Sequence, residues 1–483
     1  MLRNKNIINS CWNIADIFLY PVLFFVSTSF FIRHLGQTQF GIWMLVNTII
    51  VSMQMFNFGI GSTVLKNTAL HIGAQNENGK INVVNNAVSI TLILFALCVM
   101  LGVAGYFLVY HKHLFDIANA DRLLCAKCIV IAGLLVGLKF FEQIFTNYFK
   151  ALEDYKIAAL LGSGNRLSGL IINIIFLWIF KINILGLLSV LFVVNSIFII
   201  IGFFLMRRNT NNYAFKFNLK ISKEEASFAL FTWFQSLAII IIFQSDRYLI
   251  VSGFGLITLS YYALTATMFN HLHMGFSALL PWISPKLTKL YAQQKNGREL
   301  YAAAQSAVTC GALILLLILY LIYPFVFRVI LGTNTFNEIK EYTKYFIVFE
   351  SFFVLGIVPA YYFNAVGHER IYLYFILFFA AFALTAMLVS MRLFHTPIAV
   401  LYGLTVATIA GMFVLRMILS KILYNTYQVL ICAVQLLPSV MMAVFILCPD
   451  ITVKCLSILI FIVSLYLLNL RGGREKFLIL VNS

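Results

Sequence analysis

Charge is what this chain has least of. Only 11% of its residues are Asp, Glu, Lys or Arg, where a soluble domain carries about 25%. With 62% of residues hydrophobic and a mean hydropathy of +0.94, too few polar side chains remain to clothe a water-soluble globule. Composition therefore predicts an integral membrane protein. The chain also lacks the motifs of hydrolytic and nucleotide chemistry: it has no Walker loop, no HExxH and no GxSxG, so nothing supports an ATPase, a zinc protease or a serine hydrolase. Its eight cysteines are scattered. Cys125 and Cys128 form one CxxC with no second pair and no histidine at ligand spacing, and they read as packing residues rather than a metal or redox site. The net charge of +17 suits nucleic acid in principle. Here, however, the Lys and Arg sit in short segments between apolar runs, with no compact basic domain to dock a duplex.

What the chain does have is a succession of apolar runs of about 20 residues, the length needed to cross a bilayer, bounded by polar, Gly or Pro punctuation. Fourteen spans are predicted, roughly at 10–32, 41–64, 83–109, 123–146, 157–179, 185–206, 227–251, 257–283, 301–325, 342–364, 371–391, 398–420, 428–447 and 454–470. Met1 to Asn9 lead into the first span without a small-residue cleavage site, so that span is expected to be retained as a helix rather than removed as a signal peptide. The longest intervening segments are 207–226 and a polar hairpin expected at 326–341. With the N-terminus inside, Arg3, Lys5, Lys66, Lys80, Lys150, Lys156, the cluster Arg207, Arg208, Lys216, Lys220 and Lys223, and later Lys286, Arg298, Arg370, Lys421 and Arg471 all fall on the cytoplasmic side. The positive-inside bias thus predicts that both termini are cytoplasmic.

Two of the connecting segments occur twice. Residues 148–157 read YFKALEDYKI and 362–371 read YFNAVGHERI; residues 74–80 read AQNENGK and 292–298 read AQQKNGR. Each pair joins equivalent spans six helices apart. Six is even, so the halves share one orientation and are expected to relate by a pseudo-twofold axis along the membrane normal. The expected fold is all-α: an N-terminal lobe of six helices at 1–206, a cytoplasmic linker at 207–226, a C-terminal lobe of six helices at 227–420, and two further helices with a tail at 421–483.

The glycines near the second span have a physical reading of their own. Gly36 and Gly41 are expected to flank a tight turn between the first two helices, and Gly59 and Gly61 to permit a close helix approach or a local unwinding. No strand precedes them, so they are not a dinucleotide fingerprint. In the stretch FIRHLGQTQFGIWMLVNTIIVSMQMFNFGIGSTVLK at 31–66, the residues Leu35, Gly36, Phe40, Gly41 and Trp43, then Asn57, Phe58, Gly59, Ile60, Gly61 and Lys66, form a pattern. That pattern resembles the start of the Wzx-type flippases, the bacterial polysaccharide exporters of the multidrug/oligosaccharidyl-lipid/polysaccharide (MATE-like) superfamily. A second stretch, SDRYLIVSGFGLITLSYYAL at 245–264, is similar to the start of that family's second lobe. The resemblance covers the first twelve helices loosely and these two stretches more closely.

Ionisable residues inside spans carry the functional argument, because each costs several kcal/mol unless it meets a partner or a polar cavity. These are Asp16, Lys127, Lys139, Glu142, Arg166, Asp246, Arg247, His271, His273, Glu350 and Arg416. Lys139 and Glu142 lie three apart on one helix and share a face, as an internal ion pair or as substrate contacts. Arg166, with Asn165 and Asn173 nearby in sequence, has no acidic neighbour on its own helix and is the leading candidate for an anion ligand, the alternative being a structural pairing with Glu142 or Asp16. Asp246 and Arg247 sit near a helix end, where long side chains snorkel, as do Arg416 and Lys127. His271 and His273 are two apart and so on different faces, which argues against a shared metal. Asp16 and Glu350 are read either as titrating with a coupling ion or as hydrogen-bonding across the lobe interface. The candidate lumen is therefore Arg166, Lys139, Glu142, Asp16, Asn173, Asp246, Arg247 and Glu350, with no catalytic residue, no metal site and no cofactor.

The resemblance implies a flippase that is not an enzyme. It would move a polyprenyl-diphosphate-linked oligosaccharide across the bacterial inner membrane for O-antigen (lipopolysaccharide), capsule or exopolysaccharide, by alternating access of two bundles. It also implies action as a monomer alongside a polysaccharide polymerase and a chain-length regulator. Transport is expected to draw on substrate synthesis or on a proton or sodium gradient. Two alternatives stand beside it: a cation-coupled multidrug antiporter of the same superfamily, and a membrane polysaccharide polymerase or ligase. The short outward segments weigh against the polymerase or ligase.

Overall fold

The computed structural model describes residues 2–54, 59–112, 115, 117–210, 215–219, 223–278, 280, 283, 286, 287, 290 and 297–472, with side chains left aside for some, including 2–22 and 467–472. Among them every regular element is a helix. In chain order these are α1 (Leu2–Met53), α2 (Ile60–Gly73), α3 (Glu77–His111), α4 (Asn119–Ala151), α5 (Tyr155–Phe180), α6 (Ile184–Asn209), α7 (Lys223–Ala278), α8 (Arg298–Leu331), α9 (Thr333–Ala365), α10 (Glu369–Phe394), α11 (Ala399–Tyr424), α12 (Val429–Leu447) and α13 (Ile451–Gly472). Ten helices among the described residues are long and apolar enough to cross a membrane. The protein is a multi-pass, all-α membrane protein.

The chain forms two compact units, Met1–Ala263 and Leu264–Ser483. In the first, α3 and α4 pack closely along small residues. A Cβ placed on Gly133 would lie 2.5 Å from the Cys98 carbonyl oxygen and 3.2 Å from the Gly102 Cα. With Gly137 one turn on, this is a GxxxG face, where backbones approach because no side chain intervenes. Around that contact Val84, Leu94, Cys98, Val136, Phe140, Ile144, Phe145 and Met206 form one buried cluster. Cys125 and Cys128 are buried free thiols, as their packing role requires. Between α6 and α7, residues 215–219 are tied down: Asn85 Oδ1 accepts from the Lys216 amide at 3.1 Å, and Ser89 Oγ accepts from the Asn218 amide at 2.9 Å. In the second unit the rings of Phe269 and Phe346 stack at 5.4 Å, and Phe375 and Phe379 at 6.0 Å.

The repeat suggested by the sequence is present in the backbone. After α4, Leu152 N donates to Tyr148 O, Asp154 N to Phe149 O and Ala158 N to Asp154 O; after α9, Val366 N donates to Tyr362 O, His368 N to Phe363 O and Tyr372 N to His368 O. The same three bonds recur at one constant spacing. Glu153 at φ 59 is matched by Gly367 at φ 76, and the helix-ending Lys181 at φ 48 by His395 at φ 51. These are left-handed C-caps, which satisfy the last carbonyls of a helix. Repeated sequence thus fixes a repeated way of stopping and restarting the helix.

Of the turns expected from the sequence, the one at Gly36 is present and the one at 326–341 is corrected. As expected, Gly36 interrupts the helix: its backbone is non-helical (φ 78, ψ 165), so α1 is two helices meeting at a kink, while a Cβ on Gly41 would strike the backbone carbonyl of Leu256. Gly36 supplies a left-handed backbone and Gly41 a close contact. A matching kink occurs in α7 at Gly255 (φ 79, ψ −177), inside the second family-like stretch. The hairpin expected at 326–341 is absent, because α8 runs to Leu331 and α9 begins at Thr333. The polar segment is helical since Phe336, Ile339 and Thr343 bury one face at helical spacing. Of the Asn-Phe-Gly-Ile-Gly turn, Asn57 and Phe58 and the Lys66 side chain lie outside the described residues; Gly59 is left-handed (φ 69) and starts α2, and a Cβ on Gly61 would lie 2.7 Å from Asn147 Nδ2.

Candidate functional site

In the first unit the polar residues gather where α4, α5 and α6 meet. Lys139 Nζ lies 2.6 Å from Glu142 Oε2. The same carboxylate oxygen accepts from Asn165 Nδ2 at 2.6 Å, and Asn165 Nδ2 also reaches Asn195 Oδ1 at 2.9 Å. Asn195 in turn donates to the Leu191 carbonyl at 2.7 Å. A cation, a carboxylate and two amides on three helices therefore form one chain of hydrogen bonds. Its outer end is reachable: the Lys139 and Glu142 side chains are 22% and 15% exposed. The sequence-level choice between an internal ion pair and a ligand contact resolves geometrically into a pair that still opens to one side.

The helix that brings Asn165 and Arg166 here is not uniformly α-helical. Residues Leu160–Gly164, LLGSG, form a π-turn. Such turns are rare and recur at functional sites, because the extra residue per turn frees backbone groups and re-aims the side chains that follow. Arg166 is exposed, and its guanidinium lies near Thr146 of α4, both beside Gly162: a Cβ there would lie 3.9 Å from Arg166 Nη2 and 3.7 Å from Thr146 Cγ2. Arg166 sits 11 residues from the start of α5, about 16 Å along the axis, beyond the reach of its own side chain to the helix end. A guanidinium so far inside a span requires polar company. Asn173, two turns further on, is fully buried, and neither its Oδ1 nor its Nδ2 has a partner among the described residues. It is buried together with Asn165 and Gly169, whereas Arg166 is exposed.

The remaining candidates stand apart from this cluster. Asp246 and Arg247 do not snorkel: they are 3% and 4% exposed. Asp246 accepts from the Tyr262 hydroxyl at 2.8 Å and from the Arg247 amide at 2.8 Å. Tyr262 follows the Gly255 kink, which turns the chain so that one helix part can bond the other. Arg416 does not snorkel either; it is buried and donates to Gln435 on α12, a partner on one of the two helices first read as an appendage. Glu350 has its partner inside its own unit rather than across an interface, at His273 Nδ1, 2.8 Å away. The Asp16 side chain lies outside the described residues. Sequence reasoning missed Asn195, Tyr262 and Gln435. A lone amide in an apolar span, as Asn195 is, was the available signal; Tyr262 carried none.

Similarity to known proteins places this geometry. Among solved structures, an inward-facing multidrug resistance MATE family transporter of the MOP superfamily superposes with a TM-score of 0.70 at 14% identity, over 84% of this chain and 96% of that one. The lipid II flippase MurJ, in an inward closed conformation, superposes at 0.64 and 14% identity, over 98% and 100%. A MOP superfamily transporter from Pyrococcus furiosus gives 0.55 at 15% identity, over 87% and 95%. At such identities the likeness is one of fold. No curated protein matches the sequence itself. Residues 9–285 match the family described as Polysaccharide biosynthesis protein, and since that is more than half of its length, the chain belongs to this family and carries the fold of the MOP-type transporters.

Proposed function

We propose that the protein is a flippase that moves a polyprenyl-diphosphate-linked oligosaccharide across the bacterial inner membrane, for O-antigen, capsule or exopolysaccharide assembly. The observation that carries this reading is the Lys139–Glu142–Asn165–Asn195 network on membrane-spanning helices, with Arg166 next to Asn165 in the chain and its guanidinium near Thr146 of α4. A diphosphate crossing a low-dielectric slab needs fixed positive partners, and a guanidinium offers paired donors matched to phosphate oxygens. Amides and hydroxyls beside the two cations suit sugar hydroxyls. In this reading transport proceeds by alternating access with the lipid tail left in the bilayer, both termini are cytoplasmic, and a monomer suffices. The basic cluster at 207–223 then faces the anionic inner leaflet, where each Lys or Arg attracts anionic head groups by about 1 kcal/mol. A polymerase and a chain-length regulator act on the delivered product.

The deciding measurement is the sidedness of lipid-linked oligosaccharide in cells lacking the protein, read with a membrane-impermeant sugar-modifying enzyme on oriented vesicles. Build-up on the cytoplasmic face supports the flippase. Build-up on the outer face points to a polymerase or ligase, and no build-up to a cation-coupled antiporter. Arg166→Ala should abolish export while leaving the protein in the membrane; normal export in that variant removes Arg166 from the path.

A further inference from the structure

The second unit contains a polar pair of different chemistry. Glu350 is 1% exposed and contacts His273, which is 16% exposed, through Nδ1 and Oε1 at 2.8 Å. The imidazole leans on the Phe353 ring, 4.5 Å between centroids, and Phe353 itself stacks on Phe349 at 5.1 Å. The carboxylate is thus shut behind the imidazole, with aromatic rings around it. Immediately after it the helix tightens into a 3-10 turn at Val354–Gly356, and mid-helix turns of this kind mark hinges. One turn beyond His273, the Tyr361 hydroxyl donates to the Ser277 carbonyl at 3.2 Å, so the two helices are pinned together on both sides of the tight turn.

α9 packs against α8, α11 and α12, meets α7 at His273 and Phe269, and meets α10 at Phe379 and at Tyr372, which stacks on Phe363. Arg416 of α11 bonds Gln435, Tyr301 of α8 bonds Gln305, and Arg328 of α8 lies over Phe336. The α12 sequence contains no Asp, Glu, Lys or Arg. On α9 itself, Lys344 pairs with Glu341 at 2.7 Å and Tyr345 bonds Tyr402. His271, two residues from His273, lies on another face of α7. Glu350 has one charged neighbour in its ion-pair shell, and that neighbour is itself titratable.

We propose that the His273–Glu350 pair is the binding site for a coupling proton, an assignment that rests on the transporter reading above. Without the proton the pair is a carboxylate and a neutral imidazole whose Nδ1–H donates to it, with net charge −1. A proton arriving from water at the other ring nitrogen, with the Nδ1 proton passing to the Glu350 carboxylate, makes the pair neutral as a carboxylic acid and an imidazole. No other bond changes, and release reverses the step. A site with net charge −1 is costly to enclose in a low-dielectric interior, whereas a neutral pair is not. Proton occupancy therefore biases the hinge beside it between an open, hydrated arrangement and a sealed one. The donor set suits a proton better than an alkali or alkaline-earth ion, since hard cations favour several oxygen ligands and this site offers one carboxylate and an imidazole.

Two measurements test this on the full chain in vesicles. The first is infrared difference spectroscopy across a pH step, with no substrate: a protonated-carboxyl band is expected from wild type, absent in Glu350→Gln and displaced in His273→Gln. The second is the steady-state ratio of lipid-linked oligosaccharide head groups between leaflets under an imposed pH gradient. One proton per cycle should change that ratio about tenfold per pH unit, while Glu350→Gln should equalise the leaflets whatever the gradient. A tenfold response retained in Glu350→Gln, a response to sodium instead of protons, or a carboxyl band that survives in Glu350→Gln would each overturn the proton site and leave the flippase reading standing. Head groups that never cross in wild type, with the Glu350 band present and titrating, would keep the proton site and overturn the flippase reading.

Discussion

The Lys139–Glu142 pair allows the cluster to be tested by a double-mutant cycle. Both side chains are mostly enclosed, at 22% and 15% exposure, and the pair is short at 2.6 Å. Fully exposed pairs couple by about 0.2–1 kcal/mol, while breaking a buried pair costs about 3–5 kcal/mol. These exposures place the pair between those limits, and its residues are only three apart on one helix, so little extra ordering is required. We expect a coupling of about 1–2 kcal/mol. Glu142→Gln is the informative replacement because its amide oxygen can still accept from Asn165, which leaves the charge as the main change; Lys139→Gln removes the other partner. Stabilities of wild type, both singles and the double would be compared by reversible unfolding in mixed detergent micelles. Single effects that add to within about 0.3 kcal/mol would refute the reasoning, since the two charges would then be satisfied independently. Function supplies a second axis: Lys139→Gln should slow flipping more than Glu142→Gln, because only Lys139 carries the sign that an anionic head group requires.

Two further predictions use other residues. Asn173→Leu keeps the volume and removes an amide whose oxygen and nitrogen are both buried without partners among the described residues, so it should stabilise the folded protein by about 1 kcal/mol; a loss of stability in the same unfolding assay would show that the amide is satisfied. Asp450, ahead of α13, accepts from the Thr452 hydroxyl at 2.6 Å and its amide at 2.7 Å, and these bonds hold its carboxyl below the ordinary range. Its contribution is then present at neutral pH and lost as pH falls through that lowered value, below the usual carboxyl value of about 3.9. Hydrogen exchange in the first turn of α13 should quicken there, and Asp450→Asn should abolish the pH dependence.

The membrane class and the repeat were legible in the sequence because both are written in local order: apolar runs of bilayer length, and two turn sequences that recur. The backbone bonds after α4 and α9 are the same bonds because the residues that stop each helix are the same kind. Lys139 with Glu142 was also legible, since three residues along a helix fixes a shared face. The other partnerships were not. His273 and Glu350 are separated by 77 residues, and no periodicity links them. Asp246 and Arg247 read as snorkelling residues because distance to a helix end is visible in sequence, whereas the Gly255 kink that brings Tyr262 onto Asp246 is a tertiary event. Arg416 was misread for the same reason, its partner Gln435 lying on another helix.

One repeated frame thus carries two unlike polar fillings. In the first unit, departure from regular α-helix takes the form of a π-turn, and it precedes an amide and a guanidinium beside a half-open ion pair. In the second it takes the form of a tight 3-10 turn, and it follows a carboxylate closed off by an imidazole. Both turns occur inside membrane-spanning helices, where each displaced backbone group must find a partner within the protein. A fixed cation keeps its charge at any physiological pH and so suits holding an anionic head group. A carboxylate–imidazole pair changes its net charge with one proton and so suits timing. Duplicated halves filled identically would offer two copies of one or the other; on the proposed function, halves filled unequally would supply both a grip and a trigger.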